Sequence, residues 1–234
     1  MKTIPVLLLL LLATFTLPTK LMASPQWDDD DVQTYDIANF NRIEIEGGYK
    51  VILRQSDKPA LRIKADEEDF DYIDVNSDYG TLSIKLKEKH FTFESMVLYI
   101  EFVELNEVEI EGGVKLETKG YVELNDFTLH VEGGAKIEMG MKANHFKVVG
   151  EGGVSFDFRG VTKSMNARIS GAGNLDADEL KSESVTIEIE GVGGASVYAT
   201  DYLKATIEGV GKIRYKGDPR VEKNIEGIGF VSPD

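Results

Sequence analysis

HVEGGAKIEMG, residues 130–140, sets two adjacent glycines between a glutamate and a lysine, with apolar and charged residues alternating on either side. Alternation with a period of two marks a strand with one buried face. Glycine inside a strand, however, costs about 0.5–1 kcal/mol relative to alanine. The same phrase returns as EIEGGVKLE, VEGGAKIE, GEGGVSFDF, ISGAGNLDA, IEGVGGASVYA, IEGVGKIRY and IEGIGFVS. Its leading glycines are Gly112, Gly133, Gly152, Gly171, Gly191, Gly209 and Gly227, in steps of 21, 19, 19, 20, 18 and 18 residues. An earlier copy, IEIEGGYKVIL, carries Gly47. The 65 residues from Gly47 to Gly112 hold no clear glycine copy, so that span is degenerate or folded differently.

A period of 18–21 residues built of short alternating runs, with helical spacing almost absent after residue 100, points to an all-β repeat. The leucine and asparagine ladder of leucine-rich repeats is missing. The pattern predicts a β-solenoid, a single-stranded β-helix-like fold with about 18–21 residues per coil, each coil holding about three short strands paired with their equivalents in the next. Corners are then needed every few residues, and the glycines stack at one of them, where φ > 0 or a close backbone leaves no room for a Cβ. Residues 35–105 are less regular. They carry strand runs at Phe40–Ile45, Lys50–Arg54, Leu61–Ala65, Leu82–Leu86 and Met96–Val103 and a helical turn near Glu67–Tyr72. These N-terminal strands are expected to continue the sheets or cap the first coil.

Stacking also aligns the residues before the glycines: Glu111, Glu132, Glu151, Ser170, Glu190, Glu208 and Glu226. Two unit charges about 4.8 Å apart repel by about 0.9 kcal/mol in water and about 3.5 kcal/mol at an effective dielectric constant of 20. Such a column persists only when well hydrated. Lys115, Lys136 and Lys212, four residues further on, share its outward parity and could lean across to offset the repulsion. The column reads as a solvated charged face, with a calcium-binding column and a receptor surface for cationic or sugar ligands as alternatives.

The chain opens with Lys2, an apolar run from Ile4 to Leu17 broken by Pro5, and small residues at Ala23 and Ser24, the layout of a secretory signal peptide. Cleavage leaves 24 basic against 41 acidic side chains, a net charge of −17 compared with −15 for the whole chain. Charge of that sign opposes nucleic acid and anionic lipid. Without cysteine there is no lipid anchor, disulfide or thiolate chemistry. The expected organisation is a signal peptide at 1–23, an acidic spacer at 24–35 containing WDDDD, an N-terminal β region at 36–105 and a glycine-repeat solenoid at 106–234. The run of aspartates lacks the spacing of a calcium loop.

Chemistry is scarce. His90, His130 and His145 have no zinc spacing around them, and there is no nucleophile elbow, Walker loop or dinucleotide fingerprint. Phrases such as Gly171-Ala172-Gly173 are not followed by a helix, which a nucleotide loop requires. A polysaccharide lyase or hydrolase would draw on Asp157, Arg159, Arg168, Asp176 and Asp178, and Trp27, the sole tryptophan, lies in the spacer. No catalytic, cofactor or metal residues are assigned.

The layout from NFNRIEIEGGYKVILRQSD through YGTLSIKL and the repeated SGAG and EGVG phrases to YKGDPRVEKNIEGIG, over about residues 36–231, resembles the auto-transporter adhesin head GIN domain family of secreted bacterial proteins. Several copies here read EGG where that family more often has SGAG. The resemblance implies an extracytoplasmic, β-helix-like domain and brings no functional residues with it. The resulting expectation is a non-enzymatic secreted or cell-envelope module, an adhesin in the periplasm, on the outer surface or outside the cell, binding an unknown surface glycan or protein. Its alternatives are the lyase or hydrolase and a self-assembling periplasmic scaffold, with homo-oligomerisation left open.

Overall fold

The computed structural model describes residues 31–87 and 96–234. The stretch 1–23 read as a signal peptide, Trp27, most of WDDDD and His90 lie outside the described residues.

Nearly everything described is strand. In chain order the elements are β1 (Val32–Tyr35), β2 (Arg42–Gln55), β3 (Ala60–Lys64), a 3-10 helix (Glu67–Tyr72), β4 (Ile73–Asp78), β5 (Thr81–Leu86), β6 (Val97–Phe102), β7 (Glu107–Glu123), β8 (Asp126–Lys216) and β9 (Arg220–Pro233). They form one nine-stranded sheet in the order β1-β3-β6-β2-β7-β8-β9, with β5 also on β2 and β4 on β5. The all-β class and the helical turn at 67–72 are as the sequence implied. Val32–Tyr35, inside the stretch read as spacer, form β1 and pair antiparallel with β3.

The register follows the repeat. Gly47 lies beside Gly112 in the parallel β2–β7 pair, Gly112 beside Gly133 in β7–β8, and Gly209 beside Gly227 in β8–β9. The span between Gly47 and Gly112 is therefore folded differently: β2 pairs directly with β7, and the intervening β3 and β6 extend the sheet on its other side. Within β8 the glycines recur in space as they do in sequence. A Cβ placed on Gly152 would sit 2.5 Å from the Gly133 carbonyl oxygen, and one on Gly171 would sit 2.8 Å from that of Gly152. Gly133 and Gly152 have φ of 121° and 105°, a region L side chains rarely adopt. Both conditions for a corner glycine are thus met at once.

One expectation fails in detail. Short strands were expected, but β2, β7 and β8 run for 14, 17 and 91 residues. A positive-φ glycine redirects the strand without ending its hydrogen bonding to the neighbour, as a bulge does. A second bend falls between Glu117 and Tyr121, where the β7–β8 register shifts and Gly120 has φ 78°. Gly217, with φ 97°, turns the chain from β8 into β9.

Inward residues form one continuous core. Ile110, Val131, Ile169, Ile189 and Ile207 are almost fully buried, as are Leu116 and Ile137 beyond the glycines. At another edge of the repeat Phe127 stacks on Phe146 with ring centroids 5.8 Å apart, and Phe158 meets Phe146 edge-on at 4.9 Å. Such pairs add about 0.5–1.5 kcal/mol beyond area burial. A ladder the sequence reading missed runs beside them. Asn106 N–H donates to the Asn41 carbonyl at 2.8 Å, Asn144 N–H donates to the Asn125 carbonyl at 3.0 Å, and the Asn144 side-chain amide donates to Asn125 Oδ1 at 3.3 Å. Its signal was available in NFNRI, LNEVEI, LNDFTL and ANHFKV, where an asparagine precedes each first apolar run. Asparagine suits this place because its side chain can satisfy backbone and neighbour at a turn.

Candidate functional site

The glutamate column exists where the register is defined: Glu46 lies beside Glu111, Glu111 beside Glu132, and Glu208 beside Glu226. Glu111, Glu132 and Glu151 are exposed, as hydration of like charges requires. The lysines do not offset it as expected. Lys136 pairs with Glu138 at 2.7 Å on its own strand, while the column's partners are Lys85 on Glu46 at 3.4 Å and Arg168 on Glu190 at 2.5 Å. The parity rule put the lysine on the correct face, but a residue two places along the same strand is nearer than one four places back.

Among the described residues three carboxylates gather at Glu188, Glu190 and Glu208, whose oxygens lie within 4.8 Å of one another. Arg168 already answers two of them, Glu188 at 3.4 Å and Glu190 at 2.5 Å. The hydrogen bond to Glu190 and the charges around it hold the Arg168 guanidinium still more firmly protonated than usual. A fixed guanidinium supplies the positive charge that a calcium ion would otherwise bring.

The lyase candidates separate into different clusters. Arg159 holds Asp157 at 2.9 Å and Glu179 at 3.5 Å; Asp178 pairs with Lys216 at 2.8 Å; Arg168 belongs to the glutamates above. Each acid is engaged in an ion pair or a local backbone contact, such as Asp176 accepting from the Asp178 N–H at 3.4 Å. His130 faces outward beside Glu109, and the exposed His145 Nδ1 lies 2.7 Å from Ser164 Oγ. Asp157 and Arg159 line an open concavity of about 480 Å³ with Glu117, Lys119 and Glu138, but Arg168, Asp176 and Asp178 do not join them there.

A different face does concentrate charge. On the outer side of β3, β6, β2 and β7, one row aligns Arg62, Tyr99, Ile52 and Glu117, and the next aligns Glu101 with Arg54. A concavity of about 520 Å³ is lined there by Lys50, Arg54, Arg62 and Lys119 around Ile52, Tyr99 and Glu101. Glu101 accepts from Arg54 at 2.5 Å and lies 3.3 Å from Arg62; Glu117 takes Lys50 at 3.5 Å and Lys119 at 3.4 Å. Burial pushes both carboxyls up, but the adjacent cations outweigh it and hold both below the usual carboxylate range. Sequence reasoning missed this face because its residues come from four strands between positions 50 and 119. Only the pairing of β2 with both β6 and β7 brings them together.

A family model described as putative auto-transporter adhesin, head GIN domain, matches residues 39–219. The chain belongs to this family. Solved structures share the fold of this GIN domain. A putative adhesin from Bacteroides fragilis NCTC 9343 aligns with a TM-score of 0.83 and 22% identity over 87% of this chain and 96% of its own. A putative lipid binding protein from Parabacteroides distasonis ATCC 8503 aligns at 0.66 with 22% identity, over 87% and 96%. A putative adhesin from Parabacteroides merdae ATCC 43184 aligns at 0.59 with 23% identity, over 87% and 95%. A search of curated proteins finds no match.

Proposed function

We propose that this GIN domain is an exported, non-enzymatic binding module of the cell envelope, an adhesin whose single-stranded coils wind as a β-solenoid and display ligand-binding rows on their outer faces. The observation that carries the reading is the register itself. It sets Lys50, Lys115 and Lys136 side by side, and Glu117 beside Glu138, so that outward residue types repeat at the spacing of neighbouring strands, about 4.8 Å. Repeated rows suit a long or repetitive partner and give no enclosed place for bond-breaking chemistry. The adhesin descriptions of the family and of its structural relatives agree with a binding role. Residues 1–23 serve as the export signal in this reading, and the β region at 36–105 heads the solenoid formed by 106–234.

The test is binding of the purified chain to intact bacterial and host surfaces, and to arrayed glycans and proteins, with product release assayed in parallel. Saturable binding without new reducing or unsaturated ends supports the adhesin. Release of such ends would overturn it in favour of the lyase.

A self-assembling scaffold has one observation in its favour: the terminal strand β9 leaves Ile225, Ile228 and Phe230 exposed. Against it, Lys223 pairs with fully buried Ala205 and so occupies an inward position on an edge strand, and Pro233 closes the strand. Both devices discourage edge-to-edge pairing. Sedimentation at micromolar concentration should show a monomer, and concentration-dependent association would favour the scaffold.

A further inference from the structure

We propose that the outer face of β3, β6, β2 and β7 is a binding site for an acidic polysaccharide, a sugar polymer bearing carboxylate or sulfate groups. The proposal rests on the adhesin reading and names the ligand class for one of its faces.

The first argument is segregation of charge. In a chain with 26 basic and 41 acidic side chains, four cations line one concavity together with a single carboxylate, Glu101. The second is depth. Glu101 and Glu117 are sunk, with side chains 13% and 21% exposed, whereas their partners Arg54 and Lys119 are 56% and 60% exposed. The carboxylates thus fix the cationic groups from beneath, and the remaining N–H donors point outward. Side chains ordered beforehand lose less rotamer freedom when a ligand arrives.

Three features select a polysaccharide among anions. In the middle of the row the nearly buried Ile52 backs the half-buried ring of Tyr99, whose exposed part suits the hydrophobic face of a sugar ring. Glu101 and Glu117 interleave acceptors among the donors, to which the hydroxyl groups of a sugar can donate and a DNA backbone, having none, cannot. A lysine row continues beyond the concavity from Lys50 to the exposed Lys115 and Lys136, one lysine per strand; Lys50 and Lys136 are held by Glu117 and Glu138 at 3.5 and 2.7 Å, so that acidic units of an extended polymer meet positioned lysines at successive strands. A lipid bilayer is too flat to reach the floor of the concavity.

The experiment measures binding of the full chain to polygalacturonate and dextran sulfate, with neutral dextran, a DNA oligonucleotide and anionic vesicles as comparisons. Uronate and sulfate arms separate the two sources of negative charge. Expected is binding to one or both acidic polymers that weakens steeply from low to about 0.5 M salt, where the screening length shrinks to a few ångströms. The Lys115→Gln/Lys119→Gln variant, which leaves Glu101 with both arginines and Glu117 with Lys50, should bind about tenfold more weakly. The charge-matched Lys147→Gln/Lys163→Gln variant, with exposed lysines outside that row, should bind as the parent does. Equal loss in both variants would reduce the effect to net charge and overturn the site. Equal binding to dextran, DNA or vesicles would overturn the ligand class. Binding to a surface protein or neutral glycan, with none to acidic polymers, would sink this proposal and leave the adhesin standing; no binding to any surface would sink both.

Discussion

Alanine at Gly152 and at Gly153 differ by one position along the chain and should differ in sign. At Gly152 the backbone has φ 105°, and a Cβ would meet the Gly133 carbonyl oxygen at 2.5 Å. The conformation alone costs an L residue about 1–2 kcal/mol. Relieving the contact requires two neighbouring backbones to separate, weakening one or two ladder hydrogen bonds at about 1 kcal/mol each. The sum is about 2–4 kcal/mol, a large share of the roughly 5–15 kcal/mol that holds a domain together. At Gly153 nothing lies within 4 Å of the added methyl, and φ is outside the left-handed region. Alanine there should be neutral or stabilising by up to about 1 kcal/mol, through the smaller entropy of the unfolded chain. Equilibrium urea unfolding followed by circular dichroism compares the two. Because repeats can open piecewise, amide exchange at residues 131–135 and 169–173 should report the Gly152→Ala loss locally. Coincident midpoints for the two variants would refute the stacked-glycine account.

Tyr49 is almost fully buried, its hydroxyl has no hydrogen-bond partner, and burial, with Glu46 and Tyr35 nearby, pushes its pKa well above 10.0. A raised tyrosine pKa gives stability that is complete below pH 10 and lost above it. Tyr49→Phe should therefore match or exceed the parent in thermal stability at pH 7 and remove part of its alkaline destabilisation. Glu101 and Glu117, held below 4.5, contribute stability present above that pH and lost as pH falls through their folded values. Glu101→Gln should lower the melting temperature at pH 7 and do so progressively less as the pH falls below 4.5. Replacing Arg168 by methionine leaves Glu188, Glu190 and Glu208 without their cation; the variant should then gain stability from millimolar calcium while the parent does not, as thermal melts would show. Phe146→Ala opens the stacked phenylalanine core and should cost about 3–5 kcal/mol by denaturant unfolding.

Period and parity are local properties, so the chain alone determined the all-β class, the aligned glycines, the outward glutamates and the 3-10 turn at Glu67–Tyr72. Each rests on backbone sterics or side-chain alternation that a short window carries. The partners of those outward charges were decided only in three dimensions. Lys136 turned to Glu138, two places along its own strand, while Arg168 reached Glu190 in the next repeat because distance across strands depends on register as well as parity. The cationic concavity depended on more still. Lys50, Arg62, Glu101 and Lys119 become neighbours because β2 carries β6 at one stretch and β7 along most of its length, a choice of pairing made by the buried residues beneath them.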